Sequence, residues 1–394
     1  LVKAKKALVK LSFKNLLAKE KHKPKKINLY KYETILDFKK IKKYGKYFEK
    51  RITNIPITLK SGKVIFNEGN NYIATINEGD IDLKFNKKEI EAELKGKFLN
   101  DNIYLTLNKK NIDNKMSTDL IIKMSNLNFL TKANFFTSEK NKMNGNFLIK
   151  KGKNKIAGLF TYKNGELNIN KSNLKNIFFD GNLDGEITFL PYFNFDLNLN
   201  LNNINFTRLY NYFLSLDEIN QKNVFKVNKK INGKLNLSTD KIYSKHNSIK
   251  SFESRLNFYN GNVNIEQFLI NLGKLGAADV LGEINNDKNL TNLKFESNIF
   301  IDNKKKFRSK FGIYRQKNLS PNYFVSGNFD LDNIKTSIYE ISGNNKFKSE
   351  DIDYIEREFN DLMLENGFNY LFDFQKFKSF LKSISTEENW SSMV

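Results

Sequence analysis

Seven glycines of this 394-residue sequence stand where an alternating segment would otherwise have an apolar residue. Successive side chains of a β-strand point to opposite faces, so Gly282 shares a face with Val280 and Ile284. Glycine inside a strand usually marks a bulge, a bend or a close approach by another group. The sequence therefore predicts a long sheet that curls toward its apolar face. The predicted curvature positions are Gly96, Gly145, Gly158, Gly185, Gly233, Gly282 and Gly327.

Apolar and polar residues alternate over most of residues 52–345. The longest run, residues 193–201, places only Phe and Leu on one face and only Asn and Asp on the other. Such alternation is typical of an antiparallel sheet with one face in water. We therefore predict a mostly β fold: a long curled antiparallel sheet, groove-like or taco-like, with helical segments at both ends.

The spacing of apolar residues divides the chain into three predicted parts. Residues 1–50 are predicted to be a basic helical segment, because their apolar residues recur three or four positions apart. Residues 51–345 form the elongated antiparallel β domain with an apolar inner face, and a short helical interruption is predicted near 207–217. Residues 346–394 are predicted to be a C-terminal helical segment.

Two Asn-Gly pairs have the signature of two-residue hairpin turns. A turn at Asn260-Gly261 places Phe258 opposite Val263, so that apolar residues meet on one face. A turn at Asn164-Gly165 gives the same kind of apolar pairing. Both pairs are therefore predicted to be turns, unlike the seven glycines within strands.

The formal net charge of +23 comes almost wholly from lysine, since the chain has only six arginines. Nucleic-acid recognition favours the planar fork of arginine, and the lysines here are spread along the strands rather than clustered. We therefore expect no nucleic-acid partner. The lysines are interpreted as solvated outward positions, and the alternative interpretation is attraction to anionic lipid headgroups.

No residue pattern points to catalysis. The chain has no cysteine and only two histidines, so we expect no metal site. It has no nucleophile elbow, no phosphate-binding glycine loop and no dinucleotide-binding fingerprint. We therefore expect neither a cofactor nor an enzymatic activity.

Two stretches carry a resemblance to a known family. Residues 257–284 combine a strand, an Asn-Gly hairpin, a second strand, Gly273 and Gly276, and then a strand containing Gly282. Residues 54–107 have a similar ladder of short alternating strands. This pattern resembles the C-terminal region of the AsmA-like superfamily of bacterial envelope proteins, which includes the AsmA, YhdP and TamB relatives.

The resemblance implies a function in lipid transport. Members have long curled sheets with an apolar groove and are implicated in carrying phospholipid through the periplasm of Gram-negative bacteria toward the outer membrane. The expected partners are phospholipid acyl chains, the inner and outer membranes, and envelope proteins. The expected location is the periplasm, with an inner-membrane anchor in a segment not present in this chain. The predicted groove-lining residues are Ile81, Leu83, Phe85, Phe193, Phe195, Leu197, Leu199, Leu201, Leu256, Phe258, Val263 and Ile265.

Three alternatives remain open at this point. The same side chains can fill a closed β core, as in a sandwich of two alternating sheets. An exposed sheet edge can instead act as a scaffold for the assembly of outer-membrane proteins, as proposed for TamB-like proteins. An adhesin-like β array is the third reading, and the irregular spacing of the strand glycines argues against it.

Overall fold

The computed structural model describes residues 2–13, 24–37, 40, 55–86, 89–99, 101–112, 115–138, 142–189, 193–244, 248–287, 290–314, 319–367 and 374–386. The chain divides into two compact units, Leu1–Asn164 and Gly165–Val394, and each is presented by itself. Both units are built mainly from β-strands, in agreement with the predicted class.

Ten strands make up the described part of the first unit. They are β1 (Val2–Leu11), β2 (Pro24–Asp37), β3 (Ile57–Glu68), β4 (Asn71–Asn86), β5 (Glu89–Phe98), β6 (Asp101–Ile112), β7 (Lys115–Met124), β8 (Phe129–Thr137), β9 (Met143–Lys151) and β10 (Asn154–Lys163). Each strand pairs with its neighbours in the sequence, and every pairing is antiparallel except β2 with β3.

The second unit contains eleven described strands and five described helices. The strands are β11 (Glu166–Lys175), β12 (Phe179–Thr188), β13 (Asn194–Asn205), β14 (Gly233–Thr239), β15 (Ile242–Tyr243), β16 (Ser251–Tyr259), β17 (Asn262–Asn271), β18 (Gly276–Asp287), β19 (Leu290–Ile301), β20 (Asn322–Asp330) and β21 (Lys335–Ser342). The helices are α1 (Phe206–Leu214), α2 (Glu218–Asn223), α3 (Lys304–Phe311), α4 (Ser349–Asn366) and α5 (Phe374–Thr386).

The prediction that all strands pair antiparallel is wrong at two places. Strand β2 runs parallel to β3, and β13 runs parallel to β14 and β15. Parallel neighbours need a long crossover, because the chain must return to the end where the first strand began. Helices α1 and α2 supply the crossover after β13, at the helical interruption that the sequence predicts near 207–217. The sheet pairing is therefore mixed.

The predicted helical segment at residues 1–50 is also wrong over its described parts. Residues 2–11 and 24–37 are strands, and the cross-strand pairs include Val9 with Ile27 and Ala7 with Leu29. Strand β2 is rich in β-branched and aromatic residues, which favour strands. Most other residues of this segment lie outside the described ranges. At the C-terminal end, α4 and α5 lie within the interval predicted to be helical.

The hairpin between β16 and β17 has the predicted register. Phe258 pairs with Val263, and both turn residues have positive φ, 50° for Asn260 and 89° for Gly261. Positive φ at both central residues is what a type I′ turn requires. Asn164 and Gly165, where the two units join, also have positive φ.

Each unit has its own buried cluster. In the first unit, Tyr32, Leu59, Val64 and Ile76 are packed together on β2, β3 and β4. In the second unit, the largest cluster joins β20 and β21 to α4 and α5. This second cluster places helices against the apolar face of the last strands, and the candidate functional site lies there.

Candidate functional site

Several of the predicted curvature glycines lie next to irregular pairing. An extra residue opposite Gly96 interrupts the register of β4 with β5, between Asn77 and Asp80. The register of β20 with β21 shifts at Gly327. A β-bulge bends its strand and increases the local twist. These two sites therefore have the local geometry that the curvature prediction requires, while the effect on the whole sheet stays a prediction.

Aromatic rings occupy the space that side chains at some of these glycines would need. Phe295 lies directly opposite both Gly282 and Gly327 in the ladder. A Cβ atom added at Gly327 would lie 2.5 Å from the carbonyl oxygen of Ser337 and 3.1 Å from Phe295 Cζ. Glycine at this position therefore permits close contact with the backbone of β21 and the ring of Phe295.

In the second unit, the predicted groove-lining residues within the strands share one face. Directly opposite residues of paired strands point to the same side of a sheet. One such row runs from Phe195 through Gly233, Phe258 and Val263 to Ile284. A parallel row contains Leu197, Leu235, Leu256, Ile265 and Gly282. The pairing therefore joins positions predicted from separate segments of sequence into one apolar surface, called here the apolar face of the second unit.

Burial varies along this apolar face. Leu201 is only 4% exposed, in a cluster with Ile204 and Ile242 against which residues of α1 pack. Phe195 and Leu256 are half-buried. The face is therefore filled by the protein's own side chains near α1 and is partly accessible at Phe195 and Leu256. Val263, next to the turn between β16 and β17, is buried at 5% exposure.

An aromatic row borders the accessible part of the face. The ring centroids of Phe189 and Phe193 are 6.3 Å apart, those of Phe193 and Phe195 6.2 Å, and those of Phe195 and Phe258 5.7 Å. Phe193 precedes β13 rather than lying in it, and it is 40% exposed. The sequence pattern placed Phe193 in the strand, and the structure places it at the edge of the apolar face.

The lining residues predicted in the first unit lie in β4. Ile81 pairs with Leu59 and Leu94, and Leu83 pairs with Ile57. Both Ile81 and Leu83 are half-buried. The backbone of Phe85 lies in the same strand, and its side chain is outside the described set. No helix element is described in this unit, so within its described residues this apolar face is bordered by strands.

A cavity of about 600 Å³ lies where the apolar face of the second unit meets the helices. Strands β18 to β21 form one wall, and α3, α4 and α5 contribute the others. Apart from Thr336 and the hydroxyl of Tyr323, the side chains that line it are aliphatic or aromatic. Members include Phe295, Phe311 and Phe380. This helix-covered cavity continues the face that carries the predicted lining residues, because Phe295 pairs with Gly282.

The sequence pattern did not predict the cavity. Phe377, Phe380 and Leu381 have helical spacing, which identified an amphipathic helix but not the surface it covers. Phe307 and Phe311, four residues apart on α3, carry a similar signal. The cavity arises because α3, α4 and α5 pack around the same strands, an arrangement that the spacing within each helix does not specify.

A hydrogen bond between β21 and α4 fixes one wall of the cavity. The Ile338 N–H donates to Glu356 Oε2 at 2.7 Å, on the outer edge of β21. At the other side of the cavity, the Ser320 N–H donates to the hydroxyl of Tyr323 at 3.1 Å. Burial raises the pKa of Tyr323, and this bond opposes the increase only in part. Tyr323 is therefore a neutral polar group at the margin of an apolar space.

The first unit has a larger depression of about 1310 Å³, whose lining mixes charged and apolar side chains. Its lining includes Lys63, Glu78, Asp80 and Lys97. Burial acts to raise the pKa of Asp80, but hydrogen bonds from the Ser61 N–H and the Lys60 ammonium outweigh it, so this pKa is lowered. Lys97 pairs with Glu78 at 2.8 Å and Asp80 with Lys60 at 3.0 Å on a solvated surface, so this depression lacks the almost wholly apolar lining of the cavity in the second unit.

Among the residues that the structure describes, no helix combines the length and apolar character needed to cross a membrane. The same residues contain no group of three His, Cys, Asp or Glu side chains placed to hold a metal ion. No protein-family model, curated protein or solved structure matches this chain. The resemblance to the AsmA-like superfamily therefore remains a hypothesis based on sequence pattern.

Proposed function

We propose that this chain carries lipid along the apolar face of its strands, as a section of an AsmA-like bridge-type protein that moves phospholipid through the periplasm toward the outer membrane. The observation that supports this proposal is the continuity of one surface. In the second unit, rows of predicted lining residues share a face, and that face leads into the helix-covered cavity.

An apolar surface of this kind can supply the free energy that is needed to take an acyl chain out of a bilayer. Burying an acyl chain contributes about 0.8 kcal/mol per methylene, which offsets the cost of removing the chain from a bilayer. A cavity of about 600 Å³ lies within the roughly 300–1,000 Å³ range of ligand pockets. The opposite side of the same strands carries Asn, Asp and Lys, as at Asn257 and Lys234, which are solvated readily.

Partial burial favours an accessible surface over a closed core. Phe195, Leu197, Leu256, Phe258 and Ile265 are half-buried, whereas Val263 and Leu201 are buried. A sandwich of two sheets would bury such positions between its layers. The proposal therefore assigns the cargo surface to these residues and a structural role to the closed cluster near α1.

The alternative of a scaffold for outer-membrane protein assembly has one observation in its favour. All ten residues of β1 are exposed, and among the described pairings β1 pairs only with β2. An exposed strand of this kind can accept another strand. Its four lysines oppose such pairing, however, and at the other end of the chain the edge of β21 is hydrogen-bonded to α4.

The proposal includes a location and partners. A bridge between membranes would act in the periplasm, anchored to the inner membrane by a segment outside this chain. Its partners would be phospholipid acyl chains, the inner or outer membrane, and other envelope proteins. Cell fractionation with an epitope tag inserted into the native gene tests this part, and recovery of the tagged protein in the cytosol would contradict it.

The test of lipid carriage compares two neighbours on β16 that face opposite sides. Leu256→Asp places a carboxylate on the apolar face, whereas Asn257→Asp places one on the polar face. Transfer of a fluorescent phospholipid between vesicles should fall by about tenfold or more in Leu256→Asp, since an unpaired charge on an apolar surface costs several kcal/mol. Asn257→Asp should retain transfer.

The result depends on both variants being folded, which circular dichroism and thermal melting establish. Equal transfer rates in two folded variants would contradict a cargo surface at this strand. Loss of transfer in both would point to the net charge of the chain rather than to its apolar face.

A further inference from the structure

The helices that cover the apolar cavity differ strongly in charge. Helix α3 has five basic residues, α5 has three, and neither has an acidic residue. Helix α4, by contrast, has seven acidic residues and a single arginine. Positive charge is therefore concentrated on two of the three helices around the cavity, unlike the lysines that are spread along the strands.

Lysines of both basic helices lie where the end of α3 faces α5. The Lys310 ammonium lies 5.1 Å from the ring centroid of Phe374. A Cβ atom added at Gly312 would lie 3.1 Å from Lys378 Cε and 2.8 Å from Lys382 Cε. The side chains of Lys378 and Lys382 therefore cross from α5 to the end of α3.

The end of α3, which Lys378 and Lys382 approach, is also part of the wall of the cavity. Gly312 lies between Phe311 and Ile313, which are both buried and both line the cavity. The ring centroids of Phe311 and Phe377 are 6.1 Å apart, and the Phe377 side chain is 38% exposed. Cationic groups thus lie immediately outside an aromatic wall with an apolar space behind it.

We propose that the helix-covered cavity binds the acyl chain of an anionic lipid, with its phosphate or carboxylate held by Lys310, Lys378 and Lys382. This inference rests on the proposed function in taking an acyl lipid as cargo, and it adds selectivity for a negative headgroup. An apolar space next to a group of ammonium donors matches an amphiphile that has one anionic end. A zwitterionic lipid offers the same acyl chain with weaker net attraction.

The test uses the full chain and measures bound lipid by native mass spectrometry. The probes are dioleoyl phosphatidylglycerol, dioleoyl phosphatidylcholine and oleate, which share an acyl chain and differ in headgroup. The anionic phospholipid should bind about tenfold tighter than the zwitterionic one at low salt, and the preference should shrink as salt rises. If oleate displaces phosphatidylglycerol, the site is assigned to a fatty acid. If phosphatidylglycerol displaces oleate, the site is assigned to a phospholipid headgroup.

Two pairs of variants locate the site. The triple change K310Q/K378Q/K382Q should abolish the headgroup preference, whereas K229Q/K230Q/K234Q removes the same charge from the same unit and should retain it. Ala278→Phe fills the cavity, because Ala278 lines it. Ala277→Phe is the matched control on the opposite face of β18, where Ala277 pairs with Phe300.

Several outcomes would overturn the inference. Equal binding of the two phospholipids, or a preference that survives K310Q/K378Q/K382Q, would contradict anion selection while lipid carriage itself stands. Undiminished binding in Ala278→Phe would show that the acyl chain lies elsewhere on the apolar face. Failure of all three probes to bind a folded chain would overturn the proposed function as well.

Discussion

The side chain of Asn360 makes a reciprocal pair of hydrogen bonds with the backbone of Thr336. The Thr336 N–H donates to Asn360 Oδ1 at 2.7 Å, and Asn360 Nδ2 donates to the Thr336 carbonyl oxygen at 2.8 Å. Both residues are buried, on α4 and on the outer edge of β21. Asn360 therefore occupies the position that a further β-strand would take, and it ends the sheet at this edge.

Asn360→Leu should destabilise the second unit. The change replaces the carboxamide by an apolar side chain of similar size and leaves the N–H and carbonyl of Thr336 buried without partners, which costs about 2–3 kcal/mol. Urea denaturation measures this loss. Glu365→Leu, at an exposed position of the same helix, is the control and should change stability little. An unchanged unfolding midpoint in Asn360→Leu would contradict this role.

In the first unit, we predict that Gly79 is required because of Tyr32. A Cβ atom added at Gly79 would lie 2.8 Å from the Tyr32 hydroxyl oxygen, with the next contact at 3.5 Å. Gly79→Ala should therefore destabilise the protein by about 1–3 kcal/mol. The same change should cost much less in a Tyr32→Phe background, because the hydroxyl that obstructs the methyl group is gone.

A double-mutant cycle of thermal or urea unfolding measures this coupling. The Tyr32 hydroxyl is buried with no hydrogen-bond partner among the described atoms, and burial raises its pKa. Tyr32→Phe alone should accordingly be neutral or stabilising. Additive effects of the two changes would show that Gly79 is needed for another reason.

Asp332 should make the stability of the second unit depend on pH. Burial acts to raise its pKa, but the Thr291 N–H at 2.6 Å and the Lys226 ammonium at 3.1 Å outweigh burial, so the pKa is lowered. A carboxylate with a lowered pKa stabilises the fold above its unfolded pKa of about 3.9, and this contribution disappears as pH falls through the lower folded value.

Asp332→Asn should therefore destabilise the protein by about 1.5–3 kcal/mol at pH 7, the range for a hydrogen bond to a charged group. The difference from the parent chain should shrink below about pH 4. Unfolding curves recorded from pH 3 to 7 measure it, and Asp302→Asn at an exposed position is the control. A difference that is constant across this range would exclude ionisation as the cause.

Short-range patterns explain which parts of the fold were predictable. The turn at Asn260-Gly261 fixes its own register, and Phe258 pairs with Val263 as the sequence indicates. Gly282 and Gly327 lie inside strands because the apolar residues two positions away on either side specify the same face. Alternation with a period of two is local information, so it identifies strands and faces without knowledge of the partners.

The features that sequence reasoning missed depend on distant partners. In β1, lysines interrupt a short apolar pattern that fits a helix as well as a strand, and pairing of residues 2–11 with β2 decides between them. The parallel pairing of β13 with β14 depends on where the crossover returns the chain. The cavity requires Phe380 of α5 to pack in one cluster with Phe329 of β20 and Ile341 of β21, and nothing local to Phe380 indicates that packing.

Mass spectrometry of the full chain, purified without detergent, tests the central claim most directly. The account predicts that phospholipid co-purifies at a reproducible stoichiometry, that Leu256→Asp removes it and that Asn257→Asp retains it. A stably folded chain that carries no lipid, even after incubation with phospholipid vesicles, would contradict the account. It would mean that the apolar face is filled by the protein's own side chains, and the assembly scaffold would become the leading hypothesis.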